Sequence, residues 1–181
     1  MKTRKITDPV VGTCRSLFPP GWSLSCLAAL AVAGTARAAD VTSTWEDPSS
    51  GNWNVAGNWT NAPVAGDFPH NGNGRVATSD ATINAAGGSY TVTLDPSITV
   101  GDLLLDSGSA TLSHTSGNFT TTGGMALASG NYQLSGGTIS NTAITLSGGS
   151  FVFTSSAGIL SDSTVLNGDL SIPSGTGANA H

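Results

Sequence analysis

Residues 103–172 repeat one short pattern three times, and this repeat constrains the fold more than any other feature of the chain. Each copy has an apolar residue, a small polar turn with Gly, and two apolar residues separated by one position. The copies occupy residues 105–112, 127–134 and 146–153, and they begin 22 and then 19 residues apart. A period near 20 residues with strand-like chemistry is typical of a solenoid.

The alternation of apolar and polar residues within each copy places the apolar side chains on one face of a strand. Gly-Gly, Ser-Gly and Asn-Thr pairs separate the segments and favour turns, and no segment has the apolar spacing of a helix. We therefore expect an all-β, parallel β-helix with rungs of about 20 residues, because stacked turns can bury the apolar face that one turn leaves open. The alternative is a β-sandwich, whose strands recur about every 8–12 residues. In the solenoid the interior would be filled by Leu105, Leu112, Leu127, Leu134, Leu146 and Phe153.

Charge is distributed unevenly along the chain. From Asp40 onward there is one basic residue, Arg75, against ten acidic residues, which is a net charge of −9. A surface with one cation cannot neutralise several phosphates, so we expect no nucleic acid partner and no attraction to anionic lipid. Both cysteines, Cys14 and Cys26, precede Asp40, which excludes disulfides, thiol catalysis and cysteine-bound zinc from the rest of the chain.

Residues 1–38 have the features of a secretory signal peptide. Basic residues come first, residues 23–34 form an apolar core too short to span a bilayer comfortably, and 36–38 match a small-x-small cleavage pattern. We therefore expect export and removal of this segment, with no membrane span after cleavage.

Three of the four tryptophans lie between residues 44 and 60, in the order TW, GNW, NW. A proline, GD, YTVTLD and VGDLLL follow in that order. This succession resembles the start of secreted bacterial proteins with autotransporter-associated β-strand repeats, and it is similar to related surface proteins that carry a PEP-CTERM sorting signal. The resemblance covers roughly residues 44–105 and continues more loosely to 172.

The resemblance implies a right-handed parallel β-helix on or outside the cell envelope. Two features depart from fuller members of the family, which end in a membrane barrel or in a Pro-Glu-Pro motif with a hydrophobic tail. The chain ends instead in a Ser-, Gly- and Asn-rich segment, 174–181, which we expect to be flexible. That ending suggests a truncated frame or a fragment, and an uncapped solenoid end would favour self-association.

The tryptophan cluster has two interpretations. Trp45, Trp53 and Trp59 could cover the open end of the solenoid, where a cap blocks edge pairing. Alternatively, exposed indole faces could stack on sugar rings and form a carbohydrate-binding site.

Catalysis by acid and base would need carboxylates close together. Asp95, Asp102 and Asp106 are near one another in sequence, and they are weak candidates for a polysaccharide hydrolase or lyase. Their turn-forming neighbours favour solvated positions instead, and a lyase usually needs a cation, of which only Arg75 is available. The three histidines are far apart without ligand spacing, so we expect no metal site and no cofactor.

The sequence therefore predicts four regions: a signal peptide, a Trp-rich cap and loop region at 39–88, a β-solenoid at 89–173, and the tail. The predicted function is that of a secreted, non-enzymatic structural or adhesive segment of a bacterial surface or extracellular protein. A carbohydrate-binding module and a polysaccharide-cleaving enzyme are the alternatives, and the expected partners are polysaccharides or other cell-surface components.

Overall fold

A computed structural model describes residues 41–62, 67–72, 78–154, 158–168, 170 and 179–180. The predicted signal peptide and most of the predicted tail lie outside the described residues. Thirteen strands and one short 3-10 helix, Ala56–Asn58, make up the regular structure of this part of the chain. The strands are β1 Val41–Trp45, β2 Gly51–Asn52, β3 Thr60–Ala62, β4 Ser79–Ile83, β5 Tyr90–Leu94, β6 Ile98–His114, β7 Asn118–Leu134, β8 Thr138–Ser140, β9 Ala143–Leu146, β10 Ser150–Phe153, β11 Ile159–Ser161, β12 Thr164–Leu166 and β13 Asn179–Ala180.

From β4 onward, paired strands are parallel and lie one rung apart in sequence. Leu105 of β6 pairs with Leu127 of β7, and Leu127 pairs with Leu146 of β9. The described strands form a β-solenoid of about four turns with rungs of about 21 residues, which confirms the predicted fold and excludes the β-sandwich. The handedness implied by the family resemblance stays a prediction.

The interior consists of columns of side chains contributed by successive rungs. The alternation within the strands produces these columns, because residues of the same parity point to the same side of the sheet. All six side chains predicted to fill the interior are buried, which confirms that prediction. The columns that follow from the register are Leu103–Met125–Ile144, Leu105–Leu127–Leu146, Val92–Leu112–Tyr132–Phe151, Leu94–His114–Leu134–Phe153 and Phe119–Ile139–Leu160.

The sequence alignment of the first copy with the second is wrong by two positions at the C-terminal end of the copy. The copies place Leu112 opposite Leu134, whereas the sheet pairs Leu112 with Tyr132 and His114 with Leu134. The cause is a longer turn in the first copy, where the register shifts on both sides of Asp106. A bulge of this kind absorbs extra residues without ending the pairing.

The parallel ladder extends further toward the N-terminus than the predicted boundary at residue 89. Strand β4 pairs with β6, and β1 pairs in parallel with β4. At this end β3 is antiparallel to β1. Among the described residues there is no helix long and apolar enough to cross a membrane.

Candidate functional site

The three candidate tryptophans pack against one another at the N-terminal end of the solenoid. Trp45 ends β1, Trp53 follows β2, and Trp59 immediately precedes β3. The ring of Trp59 makes edge-to-face contacts with Trp45 at a centroid distance of 5.1 Å and with Trp53 at 4.7 Å. Trp53 also contacts Phe119 of the solenoid interior at 5.9 Å, so the cluster is continuous with the core.

Each of the three indole N–H groups donates a hydrogen bond to a backbone carbonyl. Trp45 donates to Ser49 at 3.3 Å, Trp53 to Pro69 at 3.1 Å, and Trp59 to Trp53 at 2.7 Å. The exposed fractions of the side chains are 1%, 0% and 6% in the same order. Sugar stacking requires exposed ring faces, and in this arrangement the faces are used for packing. The cluster therefore has the geometry of a structural cap, although a polar groove lies directly above it.

This groove, called the cap groove below, has a volume of about 420 Å³. It is lined by Trp45, Glu46, Asp47, Pro48, Ser49, Gly57, Asn58, Trp59 and Thr60. The two indoles form its buried base, and Glu46 and Asp47 are exposed beside it. The side-chain N–H of Asn58 donates to the carbonyl of Asn52 at 3.0 Å, which ties one wall to the end of β2.

The three candidate carboxylates have separate surroundings. Asp95 is exposed in the turn after β5, and Asp106 accepts a hydrogen bond from the hydroxyl of Ser129 at 3.2 Å. Asp102 lies on β6, where the register places it beside Asp80 of β4. In the part of the chain that the structure describes, no three His, Cys, Asp or Glu residues are grouped so that they could hold a metal ion.

Asp80, which was not a candidate in the sequence, forms a pair with Asp102. Its carboxylate accepts a hydrogen bond from the backbone N–H of Asp102 at 2.8 Å. Burial raises the pKa of the Asp80 carboxyl, the hydrogen bond from Asp102 lowers it, and the charge of Asp102 raises it further. A Cβ atom at position 101 would lie 2.2 Å from Oδ1 of Asp80, so Gly101 leaves the space that this carboxylate occupies.

His114 is the second group that sequence reasoning missed. Its side chain is fully buried in the column between Leu94 and Leu134, where it contacts the rings of Phe119 and Tyr132. The Tyr132 hydroxyl lies 3.0 Å from Nδ1, whereas Nε2 has no hydrogen-bonding partner among the described residues. Burial is the main cause that lowers the pKa of His114 to about 4, with smaller opposing effects from the backbone at Gly117 and Ser116.

Two signals in the sequence could have found these residues. His114 continues the parity of Ala110 and Leu112, which predicts an interior position. Asp80 precedes Asp102 by 22 residues, one rung of the repeat. The spacing of metal ligands does not reveal a buried histidine, and nearness in sequence does not reveal carboxylates that lie one rung apart.

Comparisons with protein-family models, with curated proteins and with solved structures found no match.

Proposed function

We propose that this chain is a secreted, non-enzymatic β-solenoid segment of a bacterial surface or extracellular protein, and that it serves as a rigid spacer with an adhesive surface. The observation that supports the proposal is a core that continues through successive rungs while hydroxyl groups line the outside. On one face the register aligns Thr99, Thr120, Ser140 and Ser161, one from each rung. Such a face offers weak polar contacts repeated along the axis.

The neutral character of this face supports contacts with polysaccharide or with other cell-surface components. The hydroxyls of Thr120 and Ser140 lie 3.0 Å apart, and Ser140 donates to the side chain of Asn118 at 3.0 Å. These bonds link neighbouring rungs and hold the polar groups at a fixed spacing near that of the strands, about 4.8 Å. Repeated weak contacts can add up to useful avidity when the ligand is also a repeating polymer.

Export and adhesion are the two measurements that test the proposal. The full chain is expressed in a bacterial host, and the mass of the exported product is determined; cleavage after Ala38 is the expected result. Beads coated with residues 39–181 are then tested for retention on polysaccharide-coated surfaces. Unprocessed protein that stays in the cytoplasm, or beads that are retained no better than uncoated ones, would contradict the proposal.

An enzyme remains the competing function, and it predicts a different result. Depolymerisation of a polysaccharide panel is measured for the wild type and for a triple variant with Asp95→Asn, Asp102→Asn and Asp106→Asn. The spacer proposal predicts no cleavage by either protein. Cleavage by the wild type that the triple variant loses would instead favour a hydrolase or lyase.

Self-association is an additional part of the proposal, because apolar side chains are exposed near the last rungs. Ile159 of β11 and Leu166 of β12 are 36% and 47% exposed. Light scattering during dilution would reveal association, and Leu166→Ser should weaken it if these strands form the contact.

A carbohydrate-binding module is the second candidate function, and the cap groove favours it. The groove is lined by Trp45 and Trp59, two of the three tryptophans for which the sequence left a sugar site as the alternative to a cap.

A further inference from the structure

We propose that the cap groove binds a short, neutral saccharide through the polar groups beside it, with the tryptophans as a rigid base and not as a stacking platform. This inference rests on the proposed function, because it adds to the repeated hydroxyl face a single saccharide site at the N-terminal end of an adhesive solenoid.

The first argument is that the cap groove is built on rigid parts of the fold. Its base is the edge-to-face cluster that joins the solenoid interior through Trp53. One wall is the 3-10 helix, whose last residue, Asn58, is hydrogen bonded to Asn52. A Cβ atom at position 51 would lie 2.6 Å from Nδ2 of Asn58, so Gly51 leaves the space that this amide occupies. A preformed groove loses little conformational entropy when a ligand binds.

The second argument concerns which groups can recognise a ligand. The three indole N–H groups already donate to backbone carbonyls, so the base offers apolar surface. Asn58 is half-buried and donates to Asn52, and the other polar side chains at the groove are those of Glu46, Asp47, Ser49 and Thr60, all exposed. Carboxylates are strong acceptors for hydroxyl groups, and serine and threonine can both donate and accept. A ligand with several hydroxyl groups on an otherwise apolar ring matches this combination, and a sugar has that chemistry.

The third argument is electrostatic and selects neutral sugars. Glu46 and Asp47 are acidic side chains, and none of the described residues that line the groove is a Lys or an Arg. A uronic acid or a sulfated sugar would place its charge beside like charges without a counterion. The volume of about 420 Å³ lies within the usual range of small-molecule sites, which suits a short saccharide.

The experiment measures binding of defined oligosaccharides to residues 39–181 by calorimetry. The probes are cellohexaose, xylohexaose and chitohexaose as neutral ligands, and hexagalacturonate as the acidic one. The test variant combines Glu46→Gln with Asp47→Asn, two exposed substitutions that leave the tryptophan cluster intact. The matched control combines Asp95→Asn with Asp106→Asn, which removes the same charge elsewhere on the surface.

We expect a neutral probe to bind, hexagalacturonate not to bind, and the Glu46/Asp47 variant to bind about tenfold or more weakly, as the loss of charge-assisted hydrogen bonds predicts. The control should bind like the wild type. The inference is overturned if no neutral probe binds, if the acidic probe binds best, or if both variants bind alike.

Bead adhesion, measured in parallel with the same two variants, separates this inference from the proposed function. Wild-type beads that adhere, together with no binding of any neutral probe in calorimetry, would overturn the cap groove as a site and leave an adhesive solenoid standing. Wild-type beads that do not adhere would contradict the proposed function itself.

Discussion

Acid should destabilise this solenoid mainly through one buried side chain, His114. The ring is enclosed by Leu94, Leu134, Phe119 and Tyr132, and no group in the described part of the chain forms a hydrogen bond with its Nε2 atom. Among the described residues, the titratable side chain in contact with it is that of Tyr132; burial raises the pKa of Tyr132, and the phenol is neutral in acid. No charged group in these contacts can compensate an imidazolium, and protonation therefore requires partial opening of the rung.

The size of the effect follows from the two pKa values of His114. The pKa is 6.5 in a solvated chain and about 4 in the folded protein, and each unit of difference corresponds to about 1.4 kcal/mol. The folded state binds the proton less well, so its stability is fully present above pH 6.5 and falls between pH 6.5 and about 4. The expected loss across that window is about 3 kcal/mol, a large part of the stability of a small domain.

The assay is urea unfolding of residues 39–181 across this pH range, compared with a variant that lacks the histidine. His114→Leu alone would leave the Tyr132 hydroxyl without its partner, so the matched variant also carries Tyr132→Phe. The carboxylates are the same in both proteins, so their contribution to the pH dependence cancels in the comparison. One of them, Asp80, acts in the opposite direction, because its raised pKa favours folding as the pH falls. The reasoning is refuted if the free energies of unfolding of the two proteins show the same pH dependence.

Three further predictions follow from the packing. Gly137→Ala should destabilise the fold by about 1–3 kcal/mol in thermal melts, because a Cβ atom there would lie 2.0 Å from Nε2 of His114. A His114→Ala background should reduce this loss of stability. The control is Gly108→Ala, because a Cβ atom at position 108 meets nothing within 4 Å. Trp53→Ala should lower the free energy of unfolding in urea by about 3–5 kcal/mol, because the indole is fully buried. Val55→Ala, at a side chain that is 46% exposed, should change it very little. Equal effects of the two substitutions would contradict the cap role. Cysteines that replace Ser113 and Gln133 should form a disulfide on oxidation, because these two residues are register partners. Cysteines that replace Ser113 and Ser135 should not form one. The reverse result would refute the register.

Much of the fold could be predicted because its signals are local. Alternation within a strand and Gly-rich turns act over a few residues, and the three copies made the period visible without any knowledge of the pairing. The strand Tyr90–Leu94 is an example, since its apolar parity alone predicts the buried face that the structure confirms.

Pairing between rungs could not be predicted, because it depends on the lengths of turns that have no regular pattern. The turn after Leu105 contains two more residues than the turn after Leu127, so equal spans in the sequence did not correspond to equal positions in the sheet. The same limit applied to the carboxylates. Asp102 was grouped with Asp95 and Asp106 by nearness in the sequence, whereas the coil places it beside Asp80, one rung away.

The role of the tryptophans was open for a different reason. Trp, Asn and Gly in this order are compatible with a cap and with a binding surface, and only burial distinguishes the two. Trp53 is fully buried because Phe119, from a later rung, contacts it across the end of the core. That contact joins residues far apart in the sequence, and no local pattern contains it.

The longer first turn also explains why a histidine is tolerated in the core. It moves His114 into the column above Leu134, which brings the imidazole within reach of the Tyr132 hydroxyl. The ring is larger in one direction than the leucines of its column, and Gly137 leaves the space beside Nε2. Nδ1 thus has a hydrogen-bonding partner, and Nε2 has only the space beside Gly137. The site therefore accommodates a neutral imidazole and disfavours a charged one. A stack of rungs can hold such a residue because each interior position needs to match only its neighbours in the adjacent rungs.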